Sequence, residues 1–332
     1  MLRTSIHWPS AMRIATPFLT ILLFLAPCLG GEQRQGQQPP SRSVLSSRTD
    51  LVALPVSVTD RHGNFVSGLK AFNFSVLEEG KPQSIEFFEQ ENTPLTIGLL
   101  VDHSSSMAPK LREVAAAVLA FANSSNPDDE MFVVDFDDLV SVELLHGKPF
   151  TGDPQELSEA VTAISAQGQT ALYDAIAEGF LHLQLGRWNK RALLVVSDGG
   201  DNISRNTFKQ VLEMARSSHA VIYAIGLLSE SGQEENPRVL RRLCQDTGGV
   251  AFFPARGASI ESVMNQISRD LRGEYMLGYA PPANSEAGAF RKVEVKVSAP
   301  GRGALRARSR PGYSLGSPRN FVSSSASARS QP

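Results

Sequence analysis

The run Leu99 to Met107, LLVDHSSSM, carries an apolar stretch into three small oxygen-bearing side chains, Asp102, Ser104 and Ser106. Thr170 in GQTALYDAI and Asp198 in LLVVSDGGDN supply two more oxygens at the ends of comparable segments. Carboxylates and hydroxyls together suit a hard divalent cation, and the set lacks the Cys or paired His of a zinc site. Mg²⁺ fits best, because it takes octahedral oxygen shells and keeps several of its waters. The serine hydroxyls are neutral donors that leave positive charge on the ion, so an acidic group from a partner can fill an open position. D-x-S-x-S alone is a weak pattern, since Asp and Ser at a strand end also cap the following helix.

Other polar residues nearby have competing roles. Asp201 and Asn202 could assist coordination, although a turn or a helix cap suits them better. Asp174 lies one helical turn beyond Thr170 and could orient that loop or act as a capping or solvated carboxylate. Asp174 and Asp201 are therefore candidates for supporting the oxygen set from behind. Asp135, Asp137 and Asp138 form an acidic loop whose spacing matches no calcium loop. His103 could serve as the general base of a metal-assisted hydrolase, but such a base needs an oriented partner and a substrate pocket that the sequence does not display. No G-x-S-x-G elbow, Walker loop or H-E-x-x-H helix is present, so an enzyme is not expected.

The elements that must position these residues follow from periodicity. Leu95 to Val101 is a continuous apolar run, as in a strand buried on both faces of a parallel sheet. Helical spacing follows in Leu111, Val114, Ala115, Val118 and Leu119, then a strand at Met131 to Phe136 and another at Val140 to Leu145. Asp153-Pro154 opens a helix to about Ser165, with Asp153 as N-cap. Helices carrying Leu172, Ile176 and Phe180, then spanning Asn206 to Ser217 and Arg238 to Gln245, alternate with strands Ala192 to Val196, Ala220 to Ile225 and Val250 to Phe253. An amphipathic helix, Ser259 to Arg272, ends the series. This alternation predicts a doubly wound, Rossmann-like open α/β sheet, whose ligands gather at the carboxyl ends of the strands. Asp102 and Asp198 each follow an apolar strand, so all five oxygens can converge on that edge.

On either side the period is two. Val52, Leu54, Val56 and Val58 alternate with other residues, as do Phe72, Phe74 and Val76, and turns at Asp60–Asn64 and Glu78–Pro82 separate them. The second turn is expected to close a hairpin onto Ser84 to Phe88, and Pro55 puts the first strand at an edge or a bulge. Strand patterns return at Tyr275 to Tyr279, Val293 to Val297 and Leu305 to Ser309. Neither set buries a core alone, so residues 50–91 and 275–314 are expected to form one small antiparallel β-module into which residues 94–273 are inserted. Both connections leave from the sheet edge opposite the oxygens.

The chain has 332 residues, with 32 Lys and Arg against 34 Asp and Glu, and a net charge of −2. That balance offers no basis for nucleic-acid attraction. Arg3 and Arg13 precede an apolar run from Ile14 to Ala26 and a small-residue stretch, the layout of a signal peptide over residues 1–31. The run is too short for a permanent transmembrane helix, and export to the periplasm, cell surface or medium is expected. Cys28 is an alternative lipid-attachment point, with the preceding Pro27 atypical for one. Residues 32–49 read as a flexible linker and 315–332 as a disordered tail. With Cys28 removed, Cys244 is the only mature cysteine, placed as a small buried thiol on a helix.

Asp102, Ser104 and Ser106, followed in order by Thr170 and the SDGGDN segment of Asp198, resemble the metal-ion-dependent adhesion site of the von Willebrand factor type A domain. The likeness covers about Pro94 to Arg272. It implies that the serines contact Mg²⁺ or Mn²⁺ directly, that the aspartates act mostly through water, and that the threonine joins when a ligand is bound. It also implies capture of a partner protein's Asp or Glu, and movement of the last helix when the partner binds. The flanks, VTDRHGNFVSGLKAFNFSVLEEGKPQSIEFFEQ, EYMLGYAPP, FRKVEVKV and the late PGY, are similar to the VWFA-related Acidobacterial domain family of exported bacterial proteins. His103 and Ser105 occupy free positions of the motif, Ser105 standing where many relatives have Gly. The expected function is adhesion or protein binding; the alternatives are a metal-independent envelope scaffold and the hydrolase built on His103.

Overall fold

The computed structural model describes residues 51–90, 92–144, 147–163, 165–228, 235–255, 257–282 and 288–315. The leader with Cys28, the whole linker and nearly all of the tail lie outside the described residues. The first strands are β1 (Val52–Thr59), β2 (Phe74–Glu78), β3 (Lys81–Gln83) and β4 (Phe87–Glu89). An alternating region follows: β5 (Leu95–Asp102), α1 (Leu111–Asn123), β6 (Glu130–Phe136), β7 (Val140–Glu143), α2 (Pro154–Thr162), α3 (Leu172–Leu183), β8 (Lys190–Ser197) and α4 (Phe208–Ser217). It continues through β9 (Val221–Gly226), α5 (Pro237–Thr247), β10 (Ala251–Phe252) and α6 (Ile260–Arg272). The last strands are β11 (Tyr275–Tyr279), β12 (Phe290–Val297), β13 (Arg306–Arg308) and β14 (Gly312–Ser314).

The alternating region forms a six-stranded sheet in the order β10-β9-β8-β5-β6-β7, parallel except for β7. All eight residues of β5 are buried, because successive side chains enter two different cores. Ile97, Leu99 and Val101 pack with α1, α2 and α6, while Leu100 packs with α3, α4 and α5. At Gly98 a Cβ would stand 2.5 Å from the Phe132 ring and 2.8 Å from Leu193, so only glycine lets those side chains meet over the strand. The doubly wound α/β sheet expected from the alternation is thus present. Asp153 caps α2 by accepting the Gln155 amide at 2.9 Å, with Pro154 in its first turn.

The flanking strands form two four-stranded sheets, β13-β1-β11-β4 and β14-β12-β2-β3. Each mixes strands from before and after the α/β region, through the antiparallel pairs β1–β11 and β2–β12. Their inner faces share one core, Leu54, Val56, Tyr275 and Leu277 from the first sheet against Phe74, Val76, Val293 and Val295 from the second. The Glu79-Gly80 turn closes a hairpin, but onto β3 rather than onto Ser84 to Phe88. Phe87–Glu89 crosses to β11 of the other sheet, where the Phe88 ring stacks on Tyr275 at 6.0 Å. Pro55 faces Met276 of β11, while β13 pairs only with Ser57–Thr59, so the strand is paired on one side at the proline.

The β-module meets the amino-terminal edge of the large sheet. Buried Lys190, at the start of β8, donates to the carbonyls of Leu271 and Glu274 at 3.2 and 2.9 Å. Arg308 of β13 donates to Tyr223 Oη, Ser57 Oγ and Asp270 Oδ2 at 2.7, 2.9 and 3.4 Å. Arg310 is buried and caps the end of α4, donating to the Ala215 and Ser218 carbonyls at 2.7 and 2.5 Å. At ~3.3 Å per residue, the two ends of β5 lie roughly 23 Å apart, so the carboxyl edge stands away from this junction.

Candidate metal centre

β5 delivers Asp102 to the carboxyl edge with its side chain fully buried. Oδ1 accepts the Ser104 amide at 2.9 Å and Oδ2 accepts the Ser197 hydroxyl at 2.6 Å. Ser197 is the last residue of β8 and its Oγ also accepts the Gly199 amide at 3.0 Å, so one hydroxyl joins β5 to the loop carrying Asp198. After Asp102 the chain makes a single 3-10 turn, Ser105–Met107, which brings Ser104 Oγ within 3.2 Å of Ser106 Oγ. Ser106 Oγ donates to Asp198 Oδ2 at 2.8 Å, and Asp198 Oδ1 accepts the Gly200 amide at 3.0 Å.

Thr170 sits on a third loop, tied to both of the others. Its amide donates to Asn202 Oδ1 at 2.9 Å, and the Asn202 amide donates to the Thr170 carbonyl at 3.1 Å. The Ser105 hydroxyl donates to the Gly168 carbonyl at 3.1 Å, and the Gln167 amide to the His103 carbonyl at 2.8 Å. Gly168 adopts φ +68°, and its open side is filled by the Asp138 carboxylate, which accepts the Gln169 amide at 2.6 Å. The structure therefore links Ser104, Ser106 and Asp198 by side-chain hydrogen bonds, anchors Asp102 through Ser104 and Ser197, and fixes the Thr170 backbone beside them.

The two candidate supports do other work. Asp201 Oδ1 accepts the Tyr173 amide at 3.0 Å and the Ser204 hydroxyl at 2.5 Å, an N-terminal cap for α3. Asp174 accepts the Arg205 amide at 3.0 Å and both the amide and Nδ2 of Asn206 at 2.8 Å. It holds α3 to the loop that follows Asp198 rather than orienting Thr170. Asn202, weighed as a turn residue, is the side chain that grips the Thr170 amide.

A divalent cation fits this donor set on two grounds. Burial pushes the Asp102 carboxyl up to about 6, against the pull of hydrogen bonds from Ser104 and Ser197, with Asp198 adding to the rise. Among the described residues no Lys, Arg or His forms an ion pair with Asp102 or Asp198. Two largely buried carboxylates thus face each other without a cationic side chain. The oxygen separations of 3.2 and 2.8 Å also bracket the ~3 Å edge of an octahedron with Mg–O distances of about 2.1 Å. Among the described residues no group of three or more His, Cys, Asp or Glu is placed to hold an ion, so an ion held here would draw on the serine hydroxyls as well as the carboxylates.

His103 is sealed from solvent, with Nδ1 paired to the Asp135 carboxylate and Nε2 2.8 Å from the Val161 carbonyl. Burial opposes its protonation, but the Asp135 hydrogen bond and charge outweigh it and raise the pKa. Both neighbours offer acceptor oxygens, so both ring nitrogens are engaged inside the protein, away from solvent. The oriented partner that the sequence did not display is Asp135, and its effect is to bolt β6 to the metal loop.

Residues 97–200, which contain all five candidate ligands, match the family model of the von Willebrand factor type A domain. Residues 97–200 carry the von Willebrand factor type A pattern. A von Willebrand factor type A structure from Catenulispora acidiphila aligns with 81% of this chain and 75% of its own, at 13% identity and a TM-score of 0.48. The conserved hypothetical protein BatB from Bacteroides thetaiotaomicron aligns with 53% of this chain and 97% of its own, at 15% identity and a TM-score of 0.43. Proximal thread matrix protein 1 from the mussel byssus, with a zinc-occupied MIDAS motif, aligns with 57% of this chain and 48% of its own, at 16% identity and a TM-score of 0.46. Among curated proteins none matches the chain. Ser197 carries no signature in the sequence until its partner Asp102 is known, and Asp135, expected in an acidic loop with Asp137 and Asp138, lies instead in β6, where it pairs with His103.

Proposed function

We propose that the chain is an exported, divalent-ion-dependent protein-binding module that captures an acidic side chain of a partner, and that it is not an enzyme. The observation that carries this reading is the linked set Ser104, Ser106 and Asp198 beside a buried Asp102 that has no cationic partner among the described residues. Ser104 and Ser106 present neutral oxygens, and Asp102 and Asp198 balance charge from within the sheet edge. A bound Mg²⁺ or Mn²⁺ would supply an electrophilic position for a partner's carboxylate oxygen. Thr170 is held within the same hydrogen-bonded loop cluster, where its hydroxyl can join the shell. Arg3, Arg13 and the apolar run Ile14 to Ala26 support export. Among the described residues no helix is long and apolar enough to cross a membrane.

The test is calorimetric titration of the full chain and of Asp102→Ala with Mg²⁺, Mn²⁺ and Zn²⁺, with circular dichroism confirming that both are folded. Saturable binding by the wild type and none by the variant is the expected result. Equal binding by the two removes the site. Partner capture that survives chelation would favour the metal-independent envelope scaffold, held together by the β-module.

A further inference from the structure

The described residues leave seven large apolar side chains exposed, and three of them, Leu139, Ile203 and Leu228, belong to segments at the carboxyl ends of β6, β8 and β9. These strands neighbour β5 or follow it in the sheet order, so their ends share the edge that carries Asp102 and Asp198. Each apolar residue is tied to the site through one hydrogen-bonded neighbour. Leu139 lies two residues from Asp137, whose carbonyl accepts the Ala171 amide next to Thr170 at 3.0 Å. Ile203 follows Asn202, which exchanges two hydrogen bonds with Thr170. Leu228 follows Leu227, whose carbonyl accepts Lys110 Nζ at 2.5 Å, and the Lys110 amide donates to the Met107 carbonyl at the end of the metal loop.

Nothing in the packing of the sheet requires these three side chains. Leu139 is 53% exposed in a tight turn and Ile203 43% exposed in the loop after Asp198, whereas the strands beneath them are buried at every position but Glu130 and Arg191. Isolated exposed apolar residues are ordinary, but these three lie in loops of the one sheet edge that also carries Asp102 and Asp198. We infer that the partner is a protein segment in which one Asp or Glu is flanked by apolar side chains, the carboxylate meeting the metal position and the flanks resting on Leu139, Ile203 and Leu228. This rests on the carboxylate-capture reading given above. Charge complementarity selects the central group: both Asp102 oxygens already accept hydrogen bonds within the protein, so an ion's positive charge is left directed at the open side. Apolar contacts on either side of that charged centre then supply affinity and orientation.

The experiment is selection of short displayed peptides on the full chain in Mg²⁺, from one library with a fixed central Glu and one with a fixed central Gln, all other positions random. The wild type should enrich the Glu library over the Gln library and should enrich Leu, Ile, Val, Phe or Met within two positions of the Glu. Leu139→Ser/Ile203→Ser should keep the Glu preference and an unchanged Mg²⁺ titration. It should lose the apolar enrichment and bind the selected peptides about tenfold more weakly. Glu peptides with random or charged flanks on the wild type, or an apolar preference unchanged in the double variant, overturn the inference while leaving carboxylate capture standing. No preference for Glu over Gln overturns carboxylate capture, and this inference with it.

Discussion

Asp135 closes an ion pair with Nδ1 of His103, and neither side chain reaches solvent. The pair joins the carboxyl end of β6 to the residue directly after Asp102, so the loop carrying Ser104 and Ser106 is braced from the neighbouring strand. His103→Ala should cost about 3 kcal/mol of unfolding free energy in urea, because it leaves Asp135 buried with its cationic partner gone. Adding Asp135→Ala to that variant should recover part of the loss, since the uncompensated charge goes too. A single variant as stable as the wild type would mean that the pair is not holding the loop.

Ser197 supports Asp102 without standing among the candidate ligands. Its hydroxyl gives its only proton to Asp102 and accepts the Gly199 amide, fixing both the carboxylate and the turn that presents Asp198. Ser197→Ala should lower stability by about 1 kcal/mol. It should also weaken Mg²⁺ binding about tenfold or more, the scale seen when a group that orients a metal ligand is removed. Calorimetric titration beside Asp102→Ala separates weakened from abolished binding.

The sheet and the linkage of Ser104, Ser106 and Asp198 at its carboxyl edge could be read from the chain because each depends on local pattern: continuous apolar runs for β5 and β8, helical spacing for α1, and short polar strings at strand ends. What escaped depends on partners distant in sequence. His103 looks like a base until Asp135 and the Val161 carbonyl occupy its two nitrogens. The segment after Pro82 looks like the return arm of a hairpin until Phe88 finds the Tyr275 ring on the other sheet. Asp174 accepts from the amides of Arg205 and Asn206, and Asp201 from the Tyr173 amide at the start of α3 and the Ser204 hydroxyl.

Gly168 offers a test of how tightly the Thr170 loop is set. Its φ of +68° disfavours any side chain, and a Cβ would stand 2.7 Å from the Asp138 carboxylate. Gly63 has a similar φ of +85° but nothing within 4 Å of its Cβ position. Gly63→Ala should therefore report the backbone cost alone, about 1 kcal/mol. Gly168→Ala should add about 1–2 kcal/mol for displacing Asp138 and the Gln169 amide it accepts. Equal losses in thermal unfolding would show that Asp138 moves aside freely.

Asp270 sets a pH dependence at the junction between α6 and the β-module. Burial raises its pKa above the ordinary 3.8, and the charge and hydrogen bond of Arg308 offset only part of that rise. The native state then holds the proton more strongly than the unfolded chain, so this group's contribution is fully present below an unfolded pKa of about 3.9 and is lost as pH rises through the native value. Asp270→Asn removes the titration while Arg308 keeps its bonds to Tyr223 and Ser57. Unfolding free energies of the two proteins, measured in urea from acid to neutral pH, should therefore shift in favour of the variant as pH rises. Titrations common to both chains cancel in the difference. The opposite slope would show that Arg308 outweighs burial and holds the carboxylate below its ordinary value.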